Sequence, residues 1–294
     1  MMETQGLQRP RLLERLDAGW EYPLTLVCAP AGYGKTTLLR QWQRRSGQRV
    51  AWLTLEEVDG HQQRFLARLA RALGMAPEGA GGGLAGLLNA VARRPAPLAL
   101  VLDDYHRVED SAPAQALAQV IGFLPPALRL LIASRHEPPL PLPRLRVRGE
   151  LLELRAADLA LAPEEAAAWG LPLTPRELAA LVEGTEGWAM GMALGAPDLD
   201  RGYPAIAHYL EREVWAPQPA PLQRFLLAAG RLERLSLPGC RALTGGSDGQ
   251  ALLLEAERRN LFLFPMGGER REYRWHPLFR RFLSGLRPRA KQTR

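Results

Sequence analysis

The chain has 294 residues, 47% of them hydrophobic, and this length suits two or three domains with a buried core. Its two cysteines, Cys28 and Cys240, lie far apart in the sequence, which argues against a disulfide framework and against a zinc motif. The formal net charge of +7 comes almost entirely from arginines, which are scattered among acidic residues. Because the positive charge is not clustered, we do not expect this chain alone to bind DNA.

The N-terminal region predicts a short amphipathic helix over residues 9–19, opened by Pro10 and closed by Gly19. The residues before this helix lack the apolar core of a signal peptide, and no apolar run in the sequence is long enough to span a bilayer. We therefore expect a cytoplasmic location and no membrane association.

Short apolar runs then alternate with helical stretches. The runs are at 24–28, 49–55, 98–102, 128–134 and 150–154, and the helical stretches are at 36–46, 61–74, 84–94 and 112–122. Continuous apolar strands separated by helices indicate a parallel sheet covered on both faces. The sequence therefore predicts an α/β domain over residues 1–155.

The strand signal then disappears, and residues 156–204 predict a small helical subdomain in which Thr174 and Glu177 form a capping box. Further helices are predicted near 205–214, 221–229 and 248–259. Two apolar-bearing runs around Gly267-Gly268 then indicate a hairpin, and a last helix follows. Helices followed by a two-stranded wing predict a winged-helix domain over residues 205–294.

The segment APAGYGKTT, at 29–37, directly follows the first predicted strand and directly precedes a helix. Its glycines, Gly32 and Gly34, let successive backbone N–H groups turn inward to hold an anion, and the helix N-terminus adds its dipole. We expect Lys35 to reach the β- and γ-phosphates of ATP and Thr36 to offer its hydroxyl to Mg²⁺. The segment therefore predicts a P-loop that binds ATP or ADP with Mg²⁺.

The remaining residues of this segment support the same interpretation. Ala29 stands where glycine is commoner, which the loop tolerates if φ is negative. Tyr33 and Thr37 complete the predicted nucleotide-binding segment. Because Lys291 is the only other lysine in the chain, the lysine at position 35 indicates a need for a compact point charge.

Two carboxylates, Asp103 and Asp104, follow the buried run 98–102. An acid at the carboxyl end of a strand near the P-loop can hold the water shell of Mg²⁺, and a second acid can orient the attacking water. We assign Asp103 to the metal, and Asp104 with Lys35 to catalysis. Asp104 is one methylene shorter than the glutamate common at such sites, so we expect slow hydrolysis. The alternative is that these acids only cap a loop.

Two further residues are candidates for contact with the nucleotide. Arg135 follows the run 128–134, and in a parallel sheet that strand can lie beside the P-loop strand, so Arg135 can detect the γ-phosphate. The alternative is a surface arginine. His276 begins the last predicted helix, and its spacing alone predicts only a helix-start residue.

These segments together resemble the MalT-like STAND ATPases, the regulatory ATPase module of large bacterial LuxR-type transcription activators. The resemblance covers nearly the whole chain and rests on APAGYGKTTL, VLDDYHRV, EGWAMGMAL, LTGGSDGQALLLEAERRNLF and YRWHPLFRRFL, in the family's order. It implies a nucleotide-binding domain, a helical domain and a winged-helix domain closed over ADP at rest. It also implies that His276 touches the β-phosphate and that Arg9 and Arg11 lie near the base.

Members of this family usually continue into a superhelical sensor domain and a LuxR-type helix-turn-helix, and the sequence here ends before both. The resemblance therefore predicts neither inducer sensing nor DNA binding from these residues.

Three hypotheses for function follow. The first is a regulatory switch in transcription or signalling, closed with ADP and open with ATP, that forms a homo-oligomer or binds an unidentified protein partner. The second is an interaction module that binds nucleotide without hydrolysis, which phosphate release in the presence of Mg²⁺ would exclude. The third is a winged-helix DNA-binding protein using Arg270, Arg271 and Arg274, against which the nearby Glu269 and Glu272 argue.

Overall fold

The structure is a computed structural model that describes residues 7–75, 82–244, 248–267 and 272–286. The chain forms two compact units. The first comprises Gly34–Leu159 with the segment that precedes Pro30, and the second comprises Pro30–Tyr33 with the chain from Ala160 onward. The boundary predicted at residue 204 stays a prediction.

The first unit is built on a parallel five-stranded sheet. Its strands are β1 (Leu24–Cys28), β2 (Val50–Thr54), β3 (Leu98–Asp103), β4 (Leu128–Ser134) and β5 (Leu151–Arg155). The spatial order is β2-β3-β4-β1-β5, and every neighbouring pair is parallel. The predicted parallel sheet is confirmed, and each strand begins and ends within one residue of its predicted bounds.

The helices of this unit precede, connect and follow these strands. They are α1 (Pro10–Ala18), α2 (Lys35–Arg45), α3 (Gln62–Ala72), α4 (Gly83–Ala92), α5 (Ala112–Val120), α6 (Leu142–Val147) and α7 (Ala156–Leu159). In α3, Phe65, Leu66 and Leu69 are buried because helical spacing places them on one face. The central strands β1 and β3 are buried along their whole length, as continuous apolar runs predict.

The second unit is mainly helical. Its helices are α8 (Pro163–Ala168), α9 (Pro175–Thr185), α10 (Ala189–Gly195), α11 (Leu199–Leu210), α12 (Ala220–Ala229), α13 (Leu237–Thr244), α14 (Asp248–Arg258) and α15 (Pro277–Gly285). The predicted capping box starts α9: Glu177 N donates to the Thr174 hydroxyl at 3.3 Å, and Thr174 N donates to the Glu177 carboxylate at 2.7 Å. Among the described residues, no helix is long and apolar enough to cross a bilayer.

A small antiparallel sheet lies among the helices of the second unit. It contains β6 (Leu235–Ser236), β7 (Leu263–Met266) and β8 (Glu272–Trp275), in the order β6-β8-β7. The pairing of β7 with β8 is the hairpin that the sequence predicts. The third strand was not predicted, and residues 268–271, which include Arg270 and Arg271, lie outside the described residues.

Two helices of this unit differ from the prediction. Helix α11 begins at Leu199 instead of near 205, because Asp198 caps it by accepting bonds from Asp200 N and Arg201 N. Helix α13 was missed because Pro238 and Gly239 suggest a turn, although proline is tolerated in the first turn of a helix. The three helices directly before the hairpin are α12, α13 and α14.

Candidate nucleotide-binding site

The carboxyl ends of the adjacent strands β3, β4 and β1 lie at the edge of the sheet where the sequence predicts the nucleotide site. Cys28, the last residue of β1, pairs with Ser134, the last residue of β4, and Ala29 N donates to Ser134 O at 3.3 Å. Strand β3 pairs with the other side of β4 and ends at Asp103. Arg135 directly follows β4. In open parallel sheets, ligands bind at this edge.

The P-loop passes into α2 through a glycine in the left-handed region. Gly34 has a φ of 78°, which a glycine adopts without steric penalty, and α2 begins at the next residue. Ala29 is not among the four described non-glycine residues with positive φ, so alanine is compatible with the backbone at that position. Thr36 and Thr37 lie exposed in the first turn of α2.

The Lys35 side chain is buried beneath this loop. Its ammonium group donates a hydrogen bond to the Ala29 carbonyl, with an Nζ to O distance of 2.7 Å. Burial, followed by the charge of Arg135, lowers the pKa of Lys35 to about 8. A buried cation with a second cation nearby favours an anionic ligand such as a phosphate.

Thr36 and Asp103 fit the requirements of a Mg²⁺ site. The Thr36 hydroxyl donates to Asp103 Oδ1 at 3.1 Å, and both groups are hard oxygen ligands. Burial and the neighbouring Asp104 carboxylate raise the pKa of Asp103, a cost that a bound cation would offset. Among the residues that the structure describes, no group of three or more His, Cys, Asp or Glu side chains can hold a metal ion. A site that shares its ion with nucleotide phosphates needs no such group.

Asp104 occupies an uncommon backbone conformation. Its φ of 57° and ψ of 40° are left-handed, a region that Asp and Asn tolerate better than most residues. Its carboxylate lies 3.8 Å from Arg107 Nε and 3.9 Å from His106 Nδ1, both beyond hydrogen-bond distance. The backbone thus holds the second carboxylate beside Asp103, and its proposed action on water stays a prediction.

The segment Pro30–Tyr33 packs inside the second unit. The Ala31 carbonyl accepts a bond from the Trp188 indole at 3.0 Å, and the Gly32 carbonyl accepts one from Met190 N at 3.0 Å. Gly32 has a φ of 79°, and a Cβ there would lie 2.6 Å from Met190 Cβ. The Tyr33 ring lies 6.1 Å from the Phe262 ring. Glycine is required at position 32 both by its backbone angle and by this close packing.

His276 is fully buried in the second unit and caps α15. Its Nδ1 accepts a bond from Leu278 N at 3.2 Å, and its Nε2 lies 2.8 Å from the Thr185 carbonyl. Since a carbonyl can only accept, Nε2 carries the proton. The helix-start position predicted for His276 is confirmed. The β-phosphate contact implied by the resemblance stays a prediction, and it would require this N–H to leave Thr185.

The two N-terminal arginines hold the end of the first unit. Arg9 is buried and donates to the Leu159 carbonyl at 2.7 Å, and Arg11 donates to the Asp158 carbonyl at 2.9 Å. Their positions near a nucleotide base stay predictions.

The structure adds a cluster that sequence reasoning missed. His106, in the turn after β3, lies edge to face with His136, in the turn after β4, with ring centroids 5.5 Å apart. His136 Nδ1 lies 2.9 Å from Glu109 Oε1. The sequence does contain a clue to this cluster, because each histidine closely follows a strand end that carries a predicted site residue.

Comparisons with known proteins agree with this geometry. The model of the AAA domain family matches residues 21–132, and the model of the MalT winged helix domain family matches residues 211–294. The chain is 32% identical over 315 residues to the HTH-type transcriptional regulator MalT of Yersinia enterocolitica, in an alignment covering 94% of this chain. This chain is a MalT-like P-loop ATPase module.

A second relative of this MalT-like module is a protein kinase, and a solved ATPase structure shares its fold. The module is 34% identical over 312 residues to the serine/threonine-protein kinase PknK of Mycobacterium tuberculosis, covering 94% of this chain. It spans 28% of PknK and 34% of MalT, about a third of the curated relatives it matches. The Walker-type ATPase PABY2304 of Pyrococcus abyssi shares the fold, with a TM-score of 0.69 over 94% of this chain and 95% of that chain at 14% identity.

Proposed function

We propose that this MalT-like module binds ADP and ATP with Mg²⁺ and hydrolyses ATP slowly, as a regulatory switch. The P-loop ATPase fold implies nucleotide binding. The observation that carries the proposal is the placement of Lys35 and Thr36 at the start of α2, with Thr36 hydrogen-bonded to Asp103 at the end of β3. A phosphate-binding cation and two oxygen ligands therefore lie together at the carboxyl edge of the sheet.

The proposed roles follow from these positions. Lys35 binds the phosphates with its ammonium group, and Thr36 and Asp103 hold Mg²⁺, which supplies charge neutralisation when bound. Asp104 orients a water molecule toward the γ-phosphorus. As the water oxygen bonds to phosphorus, the bond to the bridging oxygen breaks and ADP leaves with that electron pair, while the protons of the water stay on the released phosphate. Arg135 stabilises the charge of the γ-phosphate and reports its presence.

The switch part of the proposal rests on the family resemblance and on the path of the P-loop. Its residues Pro30–Tyr33 pack within the second unit, whereas Lys35 begins a helix of the first. A change in the backbone of this loop on exchange of ADP for ATP therefore reaches Trp188 and Met190, because they hydrogen-bond to Ala31 and Gly32. The ATP form then associates with copies of itself or with a partner protein in cytoplasmic regulation.

The nucleotide retained by the purified chain tests the proposal. We expect denaturation to release ADP, incubation with MgATP to release phosphate slowly, and light scattering to show larger species with ATP than with ADP. Retained nucleotide without phosphate release would favour the non-hydrolysing interaction module. A chain that neither retains nor binds ADP or ATP would refute the proposal.

A further inference from the structure

Two carbonyl groups of the P-loop accept hydrogen bonds from the segment that begins α10. The Ala31 carbonyl accepts one from the Trp188 indole, with an Nε1 to O distance of 3.0 Å, and the Gly32 carbonyl accepts one from Met190 N at 3.0 Å. All four residues belong to the second unit. The peptide between Ala31 and Gly32 is trans, so its C=O and its N–H point in opposite directions. Trp188 therefore fixes the direction of the Gly32 N–H.

The peptide between Ala31 and Gly32 needs such a restraint. Gly32 has a φ of 79°, and Gly34, two residues on, has a φ of 78°. Because glycine populates both signs of φ with little penalty, peptides beside it rotate easily. Among the described residues, the Gly32 N–H has no hydrogen-bond acceptor. The bond from Trp188 is therefore the restraint that keeps this N–H turned away from Trp188 and available to an anion.

The Trp188 side chain is itself fixed. It is fully buried, and its ring lies edge to face with Phe262, with centroids 5.0 Å apart, and with His276 at 5.9 Å. Trp188 is also the N-cap residue of α10, and a Cβ at Gly191 in that helix would overlap the edge of its ring. A Cβ at Gly32 would lie 2.7 Å from Trp188 Nε1. The indole therefore reaches the loop because both positions are glycine.

We propose that Trp188 is a positioning residue for the nucleotide: its indole N–H holds the Ala31 carbonyl and so keeps the Gly32 N–H directed at the phosphates before a ligand arrives. The inference rests on the proposed function. A loop that is ordered in advance loses less conformational freedom on binding, so its donors bind the ligand more tightly.

Two tryptophans of the second unit provide a matched pair of variants. Trp275 is also buried, and its indole donates to the Ala229 carbonyl at 3.1 Å, outside the P-loop. Trp188→Phe and Trp275→Phe each remove one indole N–H and keep an aromatic ring. We expect both to lower thermal stability without nucleotide. Isothermal titration should show that Trp188→Phe raises the Kd for MgADP roughly threefold to tenfold, whereas Trp275→Phe leaves it unchanged.

A second readout uses the unaltered protein and does not depend on how well a variant folds. If the indole bond favours nucleotide binding, MgADP must favour the indole bond by the same factor. NMR can follow hydrogen exchange at the indole N–H groups with and without saturating MgADP. Exchange at Trp188 should slow by roughly threefold to tenfold more than exchange at Trp275.

The outcomes separate this inference from the proposed function. An unchanged Kd for MgADP in a folded Trp188→Phe variant would overturn the inference alone. Equal rises of the Kd in both variants would also overturn it, because the effect would then come from lost packing and not from the loop. Should Trp188→Phe fail to fold, the exchange measurement decides, and equal slowing at Trp188 and Trp275 would overturn the inference. Failure of the parent to bind MgADP would instead overturn the proposed function, and this inference with it.

Discussion

At the residue scale, the buried Lys35 ammonium is held by a backbone carbonyl of the loop that would enclose phosphate. Its bond to Ala29 O replaces water, but burial still disfavours the charge and lowers the pKa of this lysine. The side chain is therefore kept charged at a cost to stability, which a phosphate ligand would offset.

Lys35→Ala should abolish nucleotide binding and leave the fold intact. The change removes the only lysine among the described residues, so the affinity for ADP should fall by about a hundredfold or more, whereas loss of a buried charge should not lower stability. Isothermal titration with ADP and thermal unfolding without nucleotide measure the two effects. Arg44→Ala, on the exposed end of α2, is the control, and parental ADP affinity in Lys35→Ala would defeat the P-loop assignment.

Asp104→Asn should bind MgATP like the parent but hydrolyse it at least about a hundredfold more slowly. Asparagine tolerates the left-handed backbone of this position, so the turn should persist while the carboxylate charge is lost. Single-turnover phosphate release gives the rate, and a binding titration gives the affinity. Asp110→Asn changes an exposed acid of the same segment and should leave both unchanged. Normal turnover in Asp104→Asn would move the role to another residue.

The limits of sequence reasoning also appear at this scale. Lys35, Thr36 and Asp103 were predicted because each lies next to an element whose type the apolar pattern identifies, and the structure places Thr36 beside Asp103. The contact of His106 with His136 was not predictable, because it depends on the spatial order of β3 and β4 and on the exact turn at each strand end. The helix-start position of His276 followed from spacing, but its bond to Thr185 joins residues far apart in the chain.

At the element scale, β5 is an edge strand protected by charge. Glu153 on β5 accepts two hydrogen bonds from Arg146 on α6, at 2.8 and 2.9 Å, and another from Arg155 Nε at 3.1 Å. The bonds from Arg146 are the main cause that lowers the pKa of Glu153 to about 2. Charged side chains on an edge strand also discourage pairing with strands of other molecules.

Glu153→Gln should lower the free energy of unfolding by about 1 kcal/mol near neutral pH, a value discounted for solvent screening. Because the folded pKa lies below the ordinary value of 4.5, the contribution of Glu153 is complete above about pH 4.5 and is lost as the pH falls through about 2. Denaturant unfolding at several pH values measures the difference from the parent. Glu14→Gln, at an exposed position on α1, is the control, and a difference that widens as the pH falls would contradict the prediction.

Elements were predictable in proportion to the regularity of their patterns. The five strands of the large sheet are rich in apolar residues, and their bounds were predicted to within one residue. The predicted start of helix α11, near residue 205, lies too far along the chain. The first turns of this helix contain Gly202 and Pro204, which are poor helix formers. The glycine is there for packing, since a Cβ at position 202 would lie 2.3 Å from the Leu194 carbonyl, and no local pattern reveals that approach.

At the scale of the whole molecule, a contact between His276 and the nucleotide can be tested only with a variant that keeps the cap of α15. His276→Ala would remove both the cap of α15 and the Thr185 contact, and so destabilise the second unit with no nucleotide present. His276→Asn keeps a side-chain acceptor for the cap and removes the Nε2 donor together with the ring that packs against Trp188 and Phe262.

If His276 contacts the β-phosphate, His276→Asn should release ADP roughly tenfold to hundredfold faster than the parent, since a bond to a charged group is lost. Stopped-flow displacement of a fluorescent ADP analogue measures this rate. His208→Asn changes an exposed histidine of the same unit and should release ADP at the parental rate. A parental rate in His276→Asn, with reduced stability, would make His276 a structural residue only.

The strand order also has a consequence for synthesis on the ribosome. Leu24 of β1 pairs with Leu130 of β4 and with Leu151 of β5, so neither neighbour of β1 exists when β1 leaves the exit tunnel. Parallel partners so distant in sequence form slowly, and all five residues of β1 are buried in the finished sheet. The nascent P-loop therefore cannot be positioned until β4 and β5 have been translated. During that interval β1 is an exposed apolar segment prone to aggregation, and nucleotide can stabilise the domain only after the P-loop has formed.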